Sequence, residues 1–141
     1  MSTTPHERPI PLHDSIVREI INGTRTTIHL PSPRTPECPY GQPGDLLWIQ
    51  EAHRVILCGD VPAIDYRATC ETDDPCGHPI TFEQFEEIEQ RDVDRAIWRP
   101  AISMPRWASR ITLEIASTRE EWIYDPKGPW IWVIDFERIK L

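Results

Sequence analysis

The segment Trp98-Arg-Pro-Ala-Ile-Ser-Met-Pro-Arg-Trp-Ala-Ser-Arg110 holds two indoles, three guanidiniums and two prolines, and no acid. Flat rings beside planar cations suit the recognition of an anion that itself carries rings, such as a nucleotide or RNA. Guanidinium forks hold phosphate and indoles stack on bases. Arg106, Trp107 and Arg110 are the candidates, with the arginines for phosphate contact and the indole for stacking. The competing duty is structural: the indole packs as a wall and the arginines pair with nearby acids. Pro100 and Pro105 stiffen the backbone under either reading.

A second chemistry to weigh is metal ligation. Cys70, Cys76 and His78 lie close together, and Cys38 and Cys58 complete the four cysteines. Structural zinc sites show tight Cys-x2–4-Cys pairs. The spacing here is wider and has no second pair, so free thiols are expected, with no metal and no cofactor.

The rest of the chain limits what the cationic segment can do. The formal charge is −8. Residues 71–97 carry nine acids against Arg91 and Arg95, while residues 98–110 carry three arginines. Such a chain repels a polyanion at long range, which excludes a broad duplex-binding face. A local pocket for one nucleotide or a short single strand remains. No apolar run approaches the roughly 18 residues of a membrane span. The N-terminus lacks the apolar centre of a signal peptide. A cytoplasmic protein with reduced thiols is the expectation.

The elements that must position these residues are short. Fifteen prolines in 141 residues is about twice the average usage, and prolines end helices and central strands. Residues 1–8 read as a frayed terminus and residues 9–141 as one domain. Ile16, Val17, Ile20 and Ile21 share one helical face, with Asp14 as N-cap and Gly23 as the left-handed stop. Residues 24–30 read as a strand, followed by a proline-rich turn region that ends in Gly41-Gln-Pro-Gly-Asp45. Residues 46–49, 54–58 and 64–68 read as strands, with a turn over 59–62. Residues 71–97 form an acidic insertion, in which Thr81 and Gln84 make a capping box for a second helix of about ten residues. The acids on that helix are read as a solvated face. Residues 111–115 and 130–136 read as the last strands. The class is α+β, mainly β: a small barrel with one helix after the first strand and a second in the acidic insertion.

Three stretches together resemble one family, the ASCH domains. Ile20-Ile-Asn-Gly-Thr-Arg-Thr26 resembles their "I-x-x-G-x-K-T" helix end. Gly41-Gln-Pro-Gly-Asp-Leu-Leu-Trp-Ile-Gln-Glu51 resembles their "G-x-x-G-D-x-L-W-V-x-E" turn and strand. The stretch from Trp98 to Leu113 resembles the "W-x-P-S-I-x-M-P-R-W-A-S-R-I" signature of ASCH-like proteins from tailed phages and prophages. The likeness spans about residues 9–139. It implies a PUA-like β-barrel, a phage or prophage origin, and a cleft beside the first helix suited to RNA or a modified nucleoside.

The resemblance also implies roles. Arg25 stands where these domains usually carry lysine. A lysine can lose its proton and assist a nucleophile, whereas an arginine stays charged and binds anions. The family includes an amidohydrolase acting on N4-acetylcytidine and members with ribonuclease activity, and this departure weakens a hydrolase reading. The hydrolase's threonine maps to Thr27 or Thr26, although strict spacing puts Ile28 there. The motif places Glu51 in the implied cleft, as a general base or as an acceptor for a base amino group. The alternative is a strand-end carboxylate paired with Arg25 or Arg67. Tyr66 and Arg67 can line the same cleft from a facing strand, and His29 lies on the strand after Arg25. Three functions follow as expectations. The first is RNA or nucleoside binding through Arg25, Glu51, Arg106 and Arg110. The second is a hydrolase using Glu51 with a threonine. The third is a phage interaction module that docks a protein partner on the acidic 71–97 surface.

Overall fold

The computed structural model describes residues 6–70, 77–87, 97–123 and 130–139. The described chain is mostly strand with two short helices. It runs β1 (Glu7–Pro11), α1 (Asp14–Ile21), β2 (Thr27–Pro31), β3 (Leu46–Gln50), β4 (His53–Cys58), β5 (Val61–Tyr66), β6 (His78–Pro79), α2 (Phe82–Glu86), two 3-10 turns (Ala101–Ser103 and Arg106–Ala108), β7 (Thr112–Trp122) and β8 (Trp130–Ile139). No described helix is long and apolar enough to cross a membrane. The helix after the first strand and the helix in the acidic segment are both present. Most of that segment, residues 71–76 and 88–96, lies outside the described residues.

The chain divides into two compact units, and the boundary falls inside α1. The first unit comprises Met1–Ile10, Ile20–Ile49 and Arg110–Leu141. Its sheet has the order β1-β3-β7-β8-β2. In β7, Leu113 and Ile115 are buried and Glu114 is exposed, the alternation of a half-buried strand. In β8, Ile131 to Ile134 are all buried. β7 extends well past residue 115 because it pairs with β8 along nearly its whole length, through a register shift between Ile115 and Ser117. That polar extension carries no hydrophobic pattern of its own.

The Gly41–Asp45 turn is held by its own carboxylate. Asp45 Oδ2 accepts from Gln42 N at 2.9 Å, and Oδ1 accepts from His6 N at 3.2 Å. The Gln42 N–H bond holds the Asp45 carboxyl below its ordinary range. Gly41 has φ +135°, and a Cβ there would stand 2.9 Å from Ile115 Cδ1. Only glycine fits without strain.

The second unit comprises Pro11–Glu19 and Gln50–Ser109, with the sheet β4-β5-β6. β4 and β5 form a hairpin in which Cys58 pairs with Val61. The loop is therefore the two residues Gly59 and Asp60, and β5 begins at Val61, inside the span expected to be turn. The Gly59-Asp60 pair is itself a two-residue hairpin connection, and Val61 and Pro62 already belong to the strand. The core of this unit is Ile64, Tyr66, Met104 and Ala108, with Ile80 and Trp107 packed against it. Thr81 and Gln84 make the expected capping box at α2.

Four expectations need correction. The described strands form two open sheets and do not close a barrel, because β1 and β2 remain edges. Glu7 and Arg8 belong to β1 rather than to a frayed end, since β1 has β3 as a neighbour in the sheet. His13, not Asp14, caps α1: Ser15 N donates to His13 Nδ1 at 3.2 Å, while the Asp14 carboxylate is drawn to Arg67. Finally, Cys58 is disulfide-bonded, whereas Cys38 and Cys70 are free thiols.

Candidate nucleoside pocket

The second unit contains a cavity of about 510 Å³, lined among others by Pro11, His13, Asp14, Arg67, Trp98 and Arg99. Each wall has a local cause. Pro11 and the bond from Leu12 N to Gln50 O (3.0 Å) bring the chain into α1 in extended form. The helix then starts at Asp14 and turns its N-terminal end, the positive end of its dipole, toward the cavity. Arg67 follows directly on β5, and its backbone N–H donates to Ala52 O at 3.0 Å. Trp98 and Arg99 enter from the cationic segment, where Arg99 bridges to His53 through backbone bonds of 2.7 and 3.2 Å.

The flat ring of this cavity is held firmly. Arg54 Cζ lies 4.3 Å from the Trp98 ring centroid. Arg54 is itself fixed by Asp65 Oδ2, which accepts from Nε at 3.1 Å and from Nη2 at 2.9 Å. The carboxylate thus fixes the guanidinium and the guanidinium fixes the indole. Arg67 Nε donates to Asp14 Oδ2 at 2.6 Å. Asp14 is buried and Arg67 is nearly half exposed. This ion pair cancels most of its own charge, and Arg99 lines the same cavity.

Beneath this wall lies His53, fully buried. Its Nδ1 is 2.9 Å from Glu51 O, which fixes Nδ1 as the protonated nitrogen, because a carbonyl can only accept. Its Nε2 is buried, with no hydrogen-bond partner among the described residues. Burial pushes the ring below its ordinary pKa, and the Arg99 charge pushes the same way.

The remaining candidates fall in several places. Arg67 lines the cavity. Glu51 follows β3 and is wholly buried. Tyr66 belongs to the core, with its hydroxyl donating to Ala108 O at 2.6 Å. Trp107 packs against the same core, and its Nε1 donates to Glu87 Oε2 at 2.6 Å. Arg106 is exposed on the second 3-10 turn. His78 sets its ring edge-on to Tyr66, 5.3 Å between centroids. Cys76, the third member of the zinc alternative, lies outside the described residues. Among the described residues no group of three potential metal ligands comes together.

Arg25, Thr27, His29 and Arg110 belong to the first unit. Arg25 lines a second cavity there, of about 440 Å³, with Asn22, Thr26, Glu137 and Arg138 among its neighbours. Its Nη1 donates to Thr27 O at 3.2 Å. Thr27 Oγ1 donates to Asp135 Oδ1 at 2.7 Å. Bonds from Ser117, Thr27 and Arg119 hold the Asp135 carboxyl below its usual range. A carboxylate stabilised in this way is a weak base, so the pair does not activate the hydroxyl. His29 is exposed on β2, and Arg110 is partly exposed ahead of β7.

The sequence pattern points to the segment that supplies this wall, and to its second half more than its first. Trp98 and Arg99, in its first half, line the cavity, and Asp14 was read only as a helix cap. The available signal was the pairing of an indole with an arginine at adjacent positions next to a proline. Comparison with family models, with curated proteins and with solved structures gave no match.

Proposed function

We propose that the protein binds RNA or a modified nucleoside, one base at a time, in the cavity of the second unit. The observation that carries this reading is the clamped Trp98 ring beside Arg67 and Arg99 in one concave site. A clamped indole supplies stacking area without further loss of side-chain freedom, and guanidiniums beside it bond a phosphate or a base edge. The local character of the site fits a chain of net charge −8, which gives no long-range attraction to nucleic acid.

The same reading keeps the ASCH resemblance as part of the proposal, with open sheets in place of the barrel it implies. In its support, a helix follows the first strand, and the Gly41–Asp45 turn leads directly into β3. A hydrolase finds less support, because Thr27 donates to a carboxylate that is a weak base.

The test is a titration of the full chain with a short single-stranded RNA and with nucleosides, followed by calorimetry. Trp98→Ala should weaken binding by about 1–3 kcal/mol, the worth of one stacked base, and Arg67→Ala should weaken it too. Unchanged affinity in both variants would refute the assignment of this cavity.

A further inference from the structure

One buried residue joins two of the chain segments that wall the cavity. Gln50, the last residue of β3, is 6% exposed. Its main-chain oxygen accepts from Leu12 N at 3.0 Å, at the extended entry to α1. Its side-chain Nε2 donates to Ile102 O and to Met104 O, each at 3.1 Å. Pro11 and Leu12 line the cavity from the entry to α1, and Pro100 and Ala101 line it from the cationic segment. All of these residues belong to the second unit.

The orientation of the amide follows from its partners. Carbonyls can only accept, so the nitrogen must face them, and the amide cannot turn round without losing both bonds. The turn that carries these carbonyls does not use them itself. Its own bonds run from Ser103 N to Pro100 O and from Met104 N to Ala101 O, which leaves the Ile102 and Met104 oxygens to Gln50. Met104 is buried in the core of this unit. A buried carbonyl without a donor is unfavourable, so loss of the amide favours a shifted turn whose oxygens reach water. The bridge between Arg99 and His53 fixes the start of the segment, and Gln50 fixes its end.

We propose that Gln50 is the positioning residue of the cavity. Its main chain and its amide hold the Pro11–Leu12 and Pro100–Ala101 walls in register, so the cavity is formed before a ligand arrives. Gln50 does not itself line the cavity and acts through the backbone of the walls. A preformed site binds more tightly because its segments are already ordered. This inference rests on the nucleoside reading above and adds the residue that gives the site its shape.

The experiment is calorimetric titration of the full chain with adenosine and with cytidine. It compares the unaltered chain, Gln50→Met, Trp98→Ala and the double variant, at a temperature where circular dichroism shows each one folded. Methionine keeps the length of the side chain and removes both donors. Gln50→Met should weaken binding by about tenfold. The loss should shrink in the Trp98→Ala background, because holding a wall matters less once its ring is gone. A residue that only stabilises the fold would leave the affinity of the folded variant unchanged, or would lower it by the same factor in both backgrounds. Either result overturns the inference and leaves the pocket assignment standing. Absence of binding by the unaltered chain overturns the nucleoside reading and this role with it. If Gln50→Met does not fold, hydrogen exchange on the unaltered chain decides. The Ser103 and Met104 amides should be protected without nucleoside and no more protected with it. Amides that exchange freely until nucleoside is added would mean that the ligand forms the cavity, and would overturn the inference.

Discussion

Acidification should loosen this protein at one identifiable ring. His53 is wholly buried, is neutral with its proton on Nδ1, and is held below its ordinary value of 6.5 by burial and by Arg99. In the unfolded chain the same ring takes up a proton near pH 6.5. Between the folded and unfolded values the unfolded state therefore binds more protons, and stability must fall as pH falls. The His53 contribution is complete above about pH 6.5 and declines below it. At pH 5.5, one unit under the unfolded value, the loss reaches about 1.4 kcal/mol if the folded ring takes up no proton at all.

The assay is urea unfolding at half-unit steps from pH 7.5 to 5.5, for the unaltered chain and for His53→Asn. The asparagine amide can keep the bond to Glu51 O but cannot titrate. The variant should lose about 1–2 kcal/mol at every pH for the atoms removed, and its curve should be flatter by the His53 contribution. Parallel curves would exclude this ring as the titrating group. A steeper acid loss in the variant would reverse the sign of the argument.

Two further substitutions test what supports the two units. Tyr66→Phe removes the donor to the Ala108 carbonyl inside the second-unit core and should cost about 1–3 kcal/mol in urea unfolding. A variant as stable as the parent would mean that water satisfies the carbonyl. Gly41→Ala forces a side chain onto a φ of +135° and against Ile115. It should destabilise by more than about 1 kcal/mol in thermal melts, and a neutral result would show that the turn can relax.

The way the cavity was hidden in the sequence has a physical reason. Local patterns were readable wherever their partners are local. Gly23 ends α1 with φ +76°, Thr81 and Gln84 cap each other across three residues, and Asp45 ties a turn of its own making. Asp14 looked equally local, an acid at a helix start, but its carboxylate answers to Arg67, 53 positions away. Once that bond forms, the capping duty passes to His13, and the acid becomes a cavity wall. Trp98 shows the same logic. Its composition announced ring chemistry, yet only the chain from Asp65 through Arg54 to the indole distinguishes it from Trp107, whose ring is absorbed by the core. Two tryptophans in one motif thus receive opposite duties from partners that the motif does not contain. Residue type set the chemistry available to this segment, and long-range pairing decided which of its residues are placed to use it.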